Sequence, residues 1–582
     1  MWMMAARVWR LLALVLALVS TGCGAPESPP PPPPVAARAP AELRPAPLPV
    51  LDPDVAATIN RVLASAEHPG LTSGRIPDVA PVLKPLYEAE PDGLFWFDGT
   101  APVAGLKGTL AALAAAGDHG LDPADYDAAL LGQQWASLEA GKVSGADRAL
   151  FDLGLSTAVV RILKAVHMGR VDPATMYWGY DSRANQIDIA PLLAAARDGE
   201  GLAATLDAIS PTVTHYARAR RTLAAYKARA AAGEPDVVPD LPQGQTKVEP
   251  GESWAGISQV AARLRVFGDL PKDIAAEGFE YTPALVEAVK RFQRRHGLHN
   301  DGVLGAGTVR VLNVSLARRV RQIELAMERM RWLPPLSDRP NVFVNVPLFR
   351  MWATDPATGG EPLRMNVVVG QSLNHQTPIF VERMEYVIFR PYWNPPPGIT
   401  VKELVPKARR DPSFFAREGL EIVASGDDNA PTLAPTPENL SKVVAGRLQL
   451  RQKPGPHNSL GLAKFIFPND ENVYMHGTPA QQLFSRPRRD FSHGCIRLED
   501  PARFAEWVLR DQPAWTRQRI DAAMQGDRPT RVNLKQPLTV VLFYDTVHIN
   551  SEGTVFFVED IYGHDRALDA ALARGYPYPV KG

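Results

Sequence analysis

The sequence predicts a multidomain α+β protein: a helical body, a second and smaller helical unit, and a β-rich C-terminal part. Three observations carry this. At 582 residues the chain is too long for a single hydrophobic core. Between about residue 51 and residue 333, apolar residues recur at three- and four-residue steps, the period of an amphipathic helix. From about 340 the period becomes two, in β-branched and aromatic runs bounded by Pro or Gly.

Residues 1–23 read as an export signal. Arg7 and Arg10 form a basic start, and Leu11 to Val19 an apolar core too short to span a bilayer. Ser20-Thr21-Gly22-Cys23 then resembles a bacterial lipobox, with Ser20 where such boxes usually carry Leu. The expectation is that Cys23 is lipidated and tethers the chain to a membrane in the periplasm or cell envelope. Ordinary cleavage near Gly22 or Ala25 is the alternative, with Cys23 incidental. Residues 24–50 form a Pro-rich linker, with prolines at Pro29 to Pro34, Pro40, Pro45, Pro47 and Pro49. Such a run favours stiff polyproline II, a spacer that holds a body away from its anchor. The formal net charge of +0 carries no nucleic-acid footprint. A hydrophobic content of 45% suffices for real cores.

Residues 51–244 form the helical body. Leu106, Leu110, Leu113 and Ala114 lie on one helix face, ended at Gly117-Asp118-His119-Gly120. Asp122 before Pro123 is a helix cap. Phe151 to Met168 and Thr214 to Ala232 read as further helices, stopped near Gly169 and Gly233. His119, His167 and His215 read as structural or surface residues. Residues 245–315 form the second unit, in which Leu285, Ala288, Val289 and Phe292 share a face and Gly297 suits a left-handed stop. Residues 316–339 are a connecting helix expected to pack on the first body. Residues 340–530 form the β-rich domain, with strands at Val342–Val346, Met365–Val369 and Tyr386–Arg390. Residues 531–582 add strands at Leu538–Leu542 and Val555–Val558 and a last helix at Asp565–Arg574.

The chemistry centres on Cys495. The chain has 2 cysteines. With Cys23 lipidated or cleaved away, Cys495 has no disulfide partner, and a lone thiol in an exported protein is a candidate nucleophile. It stands in Ser492-His493-Gly494-Cys495-Ile496-Arg497, downstream of Tyr474-Met475-His476-Gly477. This arrangement is similar to the signature of the L,D-transpeptidases, whose YkuD-type catalytic domain carries an upstream His followed by Ser/Thr-His-Gly-Cys. Pro391-Tyr392-Trp393-Asn394-Pro395-Pro396, Pro454 to Gly461 and Lys464 to Asn469 resemble the large multidomain Gram-negative branch, which has a helical scaffold domain and an inserted peptidoglycan-binding domain. Residues 245–315 resemble that small three-helix peptidoglycan-binding domain, through Phe292-Gln293, Gly297-Leu298 and Asp301-Gly302…Gly305…Thr308.

The resemblance implies acyl transfer on peptidoglycan stem peptides. Cys495 is the nucleophile and His476 the base, its other ring nitrogen held by the Gly477 carbonyl. Gly494 lets backbone N–H groups near Cys495 face an oxyanion. His493 shapes the site or binds substrate. Arg497 pins the nucleophile loop or takes a substrate carboxylate. Tyr474, Trp393 and Asn394 line the substrate cleft. Residues 396–460 are a candidate lid. The expected product is a 3→3 cross-link through a thioester, with no cofactor and no metal. Peptidoglycan stems and glycan are the expected partners, and carbapenem-type molecules the expected inhibitors. Resolution of the same thioester by water would instead give an L,D-carboxypeptidase or endopeptidase. A wall-binding scaffold with a dead site is a further alternative. Zinc on His476, His493 and Cys495 would want a fourth ligand from paired Cys motifs, which the chain lacks. The segment 245–315 contains none of these residues and reads as a separable wall-binding module.

Overall fold

The computed structural model describes residues 53–578, apart from 91–92, 142, 182–184, 200, 213, 275–277, 337–338 and 374. Cys23, the export signal and the linker lie outside the described residues. Among the described residues no helix is long and apolar enough to cross a membrane.

The helical body is built around α1 (Gly145–Met168), which opens on a reciprocal capping box between Ser144 and Asp147. Nearly every residue of α1 from Phe151 to Val166 is buried, so it is the axis the other helices wrap. Such a helix must satisfy its polar side chains internally. Asp152 does so by accepting from the Tyr87 hydroxyl at 2.5 Å and from the Phe95 and Trp96 amides at 3.0 and 2.8 Å. The helix α2 (Thr214–Ala231) leads from this body into the second unit.

That unit holds α3 (Ile257–Phe267) and α4 (Pro283–Arg295), and Gly297 takes the expected positive φ, 65°. It is not a bead on a string. Leu264, Leu285, Val289 and Phe292 share one apolar core with Tyr216, Leu223 and Tyr226 of α2. Ile323 and Met327 of α5 (Leu316–Trp332) and Val547, Ile549 and Phe557 near the C-terminus belong to it too. The separability expected from the sequence is therefore corrected. Burying one large apolar side chain stabilises by about 1.5–3 kcal/mol, and removal of residues 245–315 would expose many of these at once.

The β-rich part is a closed barrel. Its strands are β1 (Asn341–Asn345), β2 (Arg350–Thr354), β3 (Leu363–Gly370), β4 (Phe380–Phe389), β5 (Ala463–Ile466), β6 (Met475–His476), β7 (Asp490–Ser492), β8 (Ile496–Leu498) and β9 (Thr530–Phe543). Around the barrel the order is β3-β8-β6-β5-β4-β9-β1-β2, and β2 pairs back onto β3. The short β7 adds to β3 from outside. Closure removes open edges, which otherwise invite aggregation. The central strand β9 runs past residue 530, so the barrel extends beyond the boundary expected there. Alternating inward side chains such as Val342, Val344, Met351, Val367, Val387, Phe465 and Val540 fill the core.

Helix α5 joins all the parts. It packs on α2, as expected, and Leu325 and Trp332 also enter the barrel core beside Val171, Trp178 and Tyr180. Its Glu328 is fully buried and paired with Arg170 and Arg331 at 3.2 and 2.8 Å. Tyr180 donates to the Leu542 carbonyl at 3.0 Å, and the Gly179 amide to that of Ile379 at 2.8 Å.

Candidate active site

Barrel register brings the sequence-predicted residues together. β5 pairs antiparallel with β6, opposing Lys464 to His476, and β6 pairs parallel with β8, opposing His476 to Arg497. Directly opposed residues share a face, so Lys464, His476 and Arg497 form one row. Tyr474 lies two residues before His476 on the same face. Cys495 sits at the mouth of β8, anchored by the Ile496 amide donating to the Tyr474 carbonyl at 3.1 Å.

The turn before Cys495 is held from several sides. Gly494 has φ 115°, in the region that favours glycine. Its amide donates to Ser492 Oγ at 3.2 Å, and Ser492 Oγ donates to the Cys495 carbonyl at 2.6 Å. The Gly494 carbonyl accepts from Thr377 Oγ1 at 2.8 Å, which also receives the Gly370 amide at 2.9 Å. Tyr562, from the loop before α6 (His564–Leu572), accepts the Thr377 amide at 3.1 Å and donates to the Gly370 carbonyl at 2.6 Å. On the other side, Asn469 clamps residues 469–473 by bonds to Phe467, Val473 and the Val473 amide.

The electrostatics follow from burial. Burial pushes the Cys495 thiol above its ordinary value. The Tyr474 backbone, Lys464, the Tyr474 hydroxyl and Arg497 pull the other way. The hydroxyl of Tyr474 lies beside the thiol, and Lys464 Nζ lies 3.9 Å from the Tyr474 ring centroid. His476 is buried. Desolvation first, then Arg497 and Lys464, lower it to about 3 against the opposing carbonyls of Gly477 and Leu460, so it is neutral at ordinary pH. Its Nδ1 donates to the Gly477 carbonyl at 2.5 Å, the contact expected from the sequence. That bond places the proton on Nδ1 and leaves Nε2 as an acceptor. The thiol itself points at the Asn472 carbonyl, at 3.9 Å.

The other expected residues are placed less simply. His493 is exposed; its ring lies 4.6 Å from that of His375, and its Nε2 is 2.8 Å from Glu403 Oε1. Arg497 is partly buried, and its Nε has no hydrogen-bond partner among the described residues. Trp393 pairs through its backbone with Gln452 and packs on an apolar cluster of its own, with Leu404, Phe414, Phe415, Ile422 and Leu450. Asn394 is exposed. That cluster is the core of a small subdomain within 396–460, with a three-stranded sheet. Sequence reasoning passed over Lys464, Glu403, Thr377 and Tyr562 as site residues. Lys464 was legible only through barrel register, and Tyr562 lies 67 residues from Cys495 with no local signal.

Residues 339–533 match the YkuD family, the L,D-transpeptidase catalytic domain. Residues 81–223 match a scaffold domain, and 255–312 a "Putative peptidoglycan binding domain". Residues 339–533 are thus a YkuD-type L,D-transpeptidase catalytic domain, carried beside a scaffold domain and a peptidoglycan-binding domain. It is similar to a "Putative L,D-transpeptidase" of Haemophilus influenzae, with 27% identity over 252 residues, 43% of this chain and 49% of that protein. The match spans about half the length of that relative. A solved L,D-transpeptidase fragment from Xylanimonas cellulosilytica aligns over 52% of this chain and all of its own at 15% identity, with a TM-score of 0.16.

Proposed function

We propose that this chain is a peptidoglycan L,D-transpeptidase that forms 3→3 cross-links through a thioester on Cys495. The single observation that carries this is the row Lys464–His476–Arg497 beside Tyr474 and Cys495, inside a YkuD-type domain. Sγ attacks the carbonyl carbon of the third stem residue. The amide C–N bond breaks, the terminal D-Ala leaves with a proton on its amine, and a thioester remains. The side-chain amine of a second stem then attacks the thioester carbon, and the thiol is restored. No oxidant or reductant is required.

The starting pair is a neutral thiol and a neutral imidazole. Lys464 and Arg497 lower the cost of thiolate and disfavour imidazolium, so proton transfer to His476 Nε2 accompanies attack instead of preceding it. The Nδ1–Gly477 bond keeps the ring in the tautomer that can accept. The turn at Gly494 leaves the Cys495 amide, whose neighbours are both committed, to meet the oxyanion. The guanidinium of Arg497 is assigned to a carboxylate of the donor stem. Tyr474, Trp393 and Asn394 are assigned to the cleft. The subdomain at 396–460 is assigned as a lid, latched by Glu403 to His493. The envelope location, the lipid on Cys23 and carbapenem acylation belong to the same proposal.

The test is Cys495→Ala. Intact-mass analysis of stem fragments after incubation should show cross-linked dimers with the parent and none with the variant, whose thermal midpoint stays near the parent's. Cross-linking by folded Cys495→Ala protein would remove the assignment.

A further inference from the structure

Away from the thiol, a concave groove of about 710 Å³ opens where three parts of the chain meet. One wall is α2, which presents Arg218, Arg221 and Arg229 from one stripe. The second is the last turn of α4, with Arg291, Arg294 and Arg295. The third is the hairpin of β10 (Val547–Ile549) and β11 (Val555–Phe557). Six guanidinium groups face two carboxylates, Asp269 and Glu552, in a chain whose formal net charge is +0. The concentration of charge is therefore local.

Part of this cluster is structural. Arg295 is buried; it bonds Asp269 Oδ1 through Nε at 2.9 Å and the Val555 carbonyl through Nη1 at 2.6 Å. Arg291 donates to the Asp269 carbonyl at 2.8 Å, and Arg229 stacks on Tyr226 at 4.8 Å. These contacts satisfy Asp269 and make a stiff rear wall. Arg218, Arg221 and Arg294 make no side-chain hydrogen bond or close ion pair among the described residues, although Arg294 acts on Glu287 from a distance. Three forks of like charge converging on a cleft repel one another, a cost that an anion in the cleft removes. Between the forks, half-buried Phe556 offers apolar surface over the buried Tyr226 and Phe267, and Thr222, Asn550 and Thr554 offer groups that can meet peptide amides.

We infer that this groove is a binding site for a carboxylate-bearing peptide, namely the stem peptide of the wall polymer. The inference rests on the proposed function for the identity of the polymer, not for the anion chemistry. A short peptide with several free carboxylates, amides and aliphatic side chains matches the groove's forks, polar rim and apolar floor. A concave cleft walled by two helices and a hairpin is the wrong shape for a lipid surface. The site is composite: only one of its three walls belongs to the peptidoglycan-binding domain. It would hold a strand of wall while the thiol works on another.

The test uses the full chain with Cys495→Ala, so that turnover does not consume the probe. The probe is a soluble disaccharide-tetrapeptide, with its carboxyls free or amidated, followed by calorimetry. R218Q/R221Q/R294Q should weaken binding of the free-carboxyl probe about tenfold or more. R218K/R221K/R294K should retain part of it, since charge survives but the fork is lost. The amidated probe should bind weakly to all three proteins. Raising ionic strength from about 50 to about 500 mM should weaken the parent more than the Gln variant. With Cys495 intact, the Gln variant should keep the parent's thermal midpoint and rate of acylation by a small carbapenem. Equal binding by parent and Gln variant, or equal binding of amidated and free probes, overturns the inference. So does arginine-dependent binding confined to inorganic phosphate or to phosphatidylglycerol vesicles. Failure of the parent to cross-link stems would sink the transpeptidase reading instead, and leaves the calorimetric result standing on its own.

Discussion

Gly494→Ala isolates the backbone contribution of the nucleophile turn. A Cβ there would meet nothing closer than the Gln376 carbonyl oxygen at 3.7 Å and Val473 Cγ2 at 3.8 Å, both ordinary contacts. The cost is therefore conformational: φ is 115°, where an L side chain is strained by about 1–3 kcal/mol. Relaxation is opposed by the Thr377 and Ser492 bonds to both sides of the peptide. If those anchors hold, the strain appears as stability, and the thermal midpoint falls by roughly 2–4 °C per kcal/mol for a domain of this size. If they yield, the Cys495 amide turns away from the oxyanion, and acylation slows about ten- to a hundredfold, at about 1.4 kcal/mol per decade. The assay is paired: thermal unfolding, and time-resolved intact mass with a small carbapenem. A variant with the parent's midpoint and the parent's acylation rate would refute the reasoning, because the turn would then not demand glycine.

Further outcomes follow from the same site. His476→Ala should slow thioester formation about a hundredfold or more, and more than His493→Ala does, because His493 is exposed and, among the described residues, meets Glu403 and His375; faster acylation in His476→Ala than in His493→Ala would reverse the two roles. Lys464→Met should move the alkaline limb of the acylation pH profile upward and slow acylation about tenfold at neutral pH, since the ammonium lowers a thiol that burial has raised; an unmoved profile removes Lys464 from the site. Acidification should destabilise the native state: burial, the first cause in each case, lowers His476 and His548 to about 3 and His119 and His564 to about 4. Below the unfolded value of about 6.5 the unfolded chain binds protons these groups refuse, at about 1.4 kcal/mol per group per pH unit. Asp152, raised by burial to about 6, works the other way but is outnumbered by these imidazoles. The thermal midpoint should therefore fall between pH 7 and pH 5, and a flat or rising midpoint would contradict the sign.

Local chemistry was legible in the sequence wherever one segment carries it. The cap at Asp122, the stop at Gly297 and the strand over Met365–Val369 depend on neighbours a few residues away and form as read; the helix from Leu106 forms too, but it ends at Ala114, which is exposed, and Thr109 and Ala112 join Leu106 and Leu113 on its buried face. The same holds for His476 and Cys495, whose spacing is a property of one short stretch, and for the bond from His476 to the carbonyl of the next residue. What joins distant segments was decided only by tertiary structure. Lys464 becomes a neighbour of the thiol because barrel register opposes it to His476. Tyr562 reaches the turn because the chain returns after β9. Residues 245–315 are fused into the body because α2, α5 and the C-terminal hairpin bury their apolar faces on them. The arginine groove is assembled from segments up to about 340 residues apart in sequence. Periodicity and spacing record which face a segment buries; they carry no record of which other segment covers it, because apolar burial is not directional and depends on area, not partner.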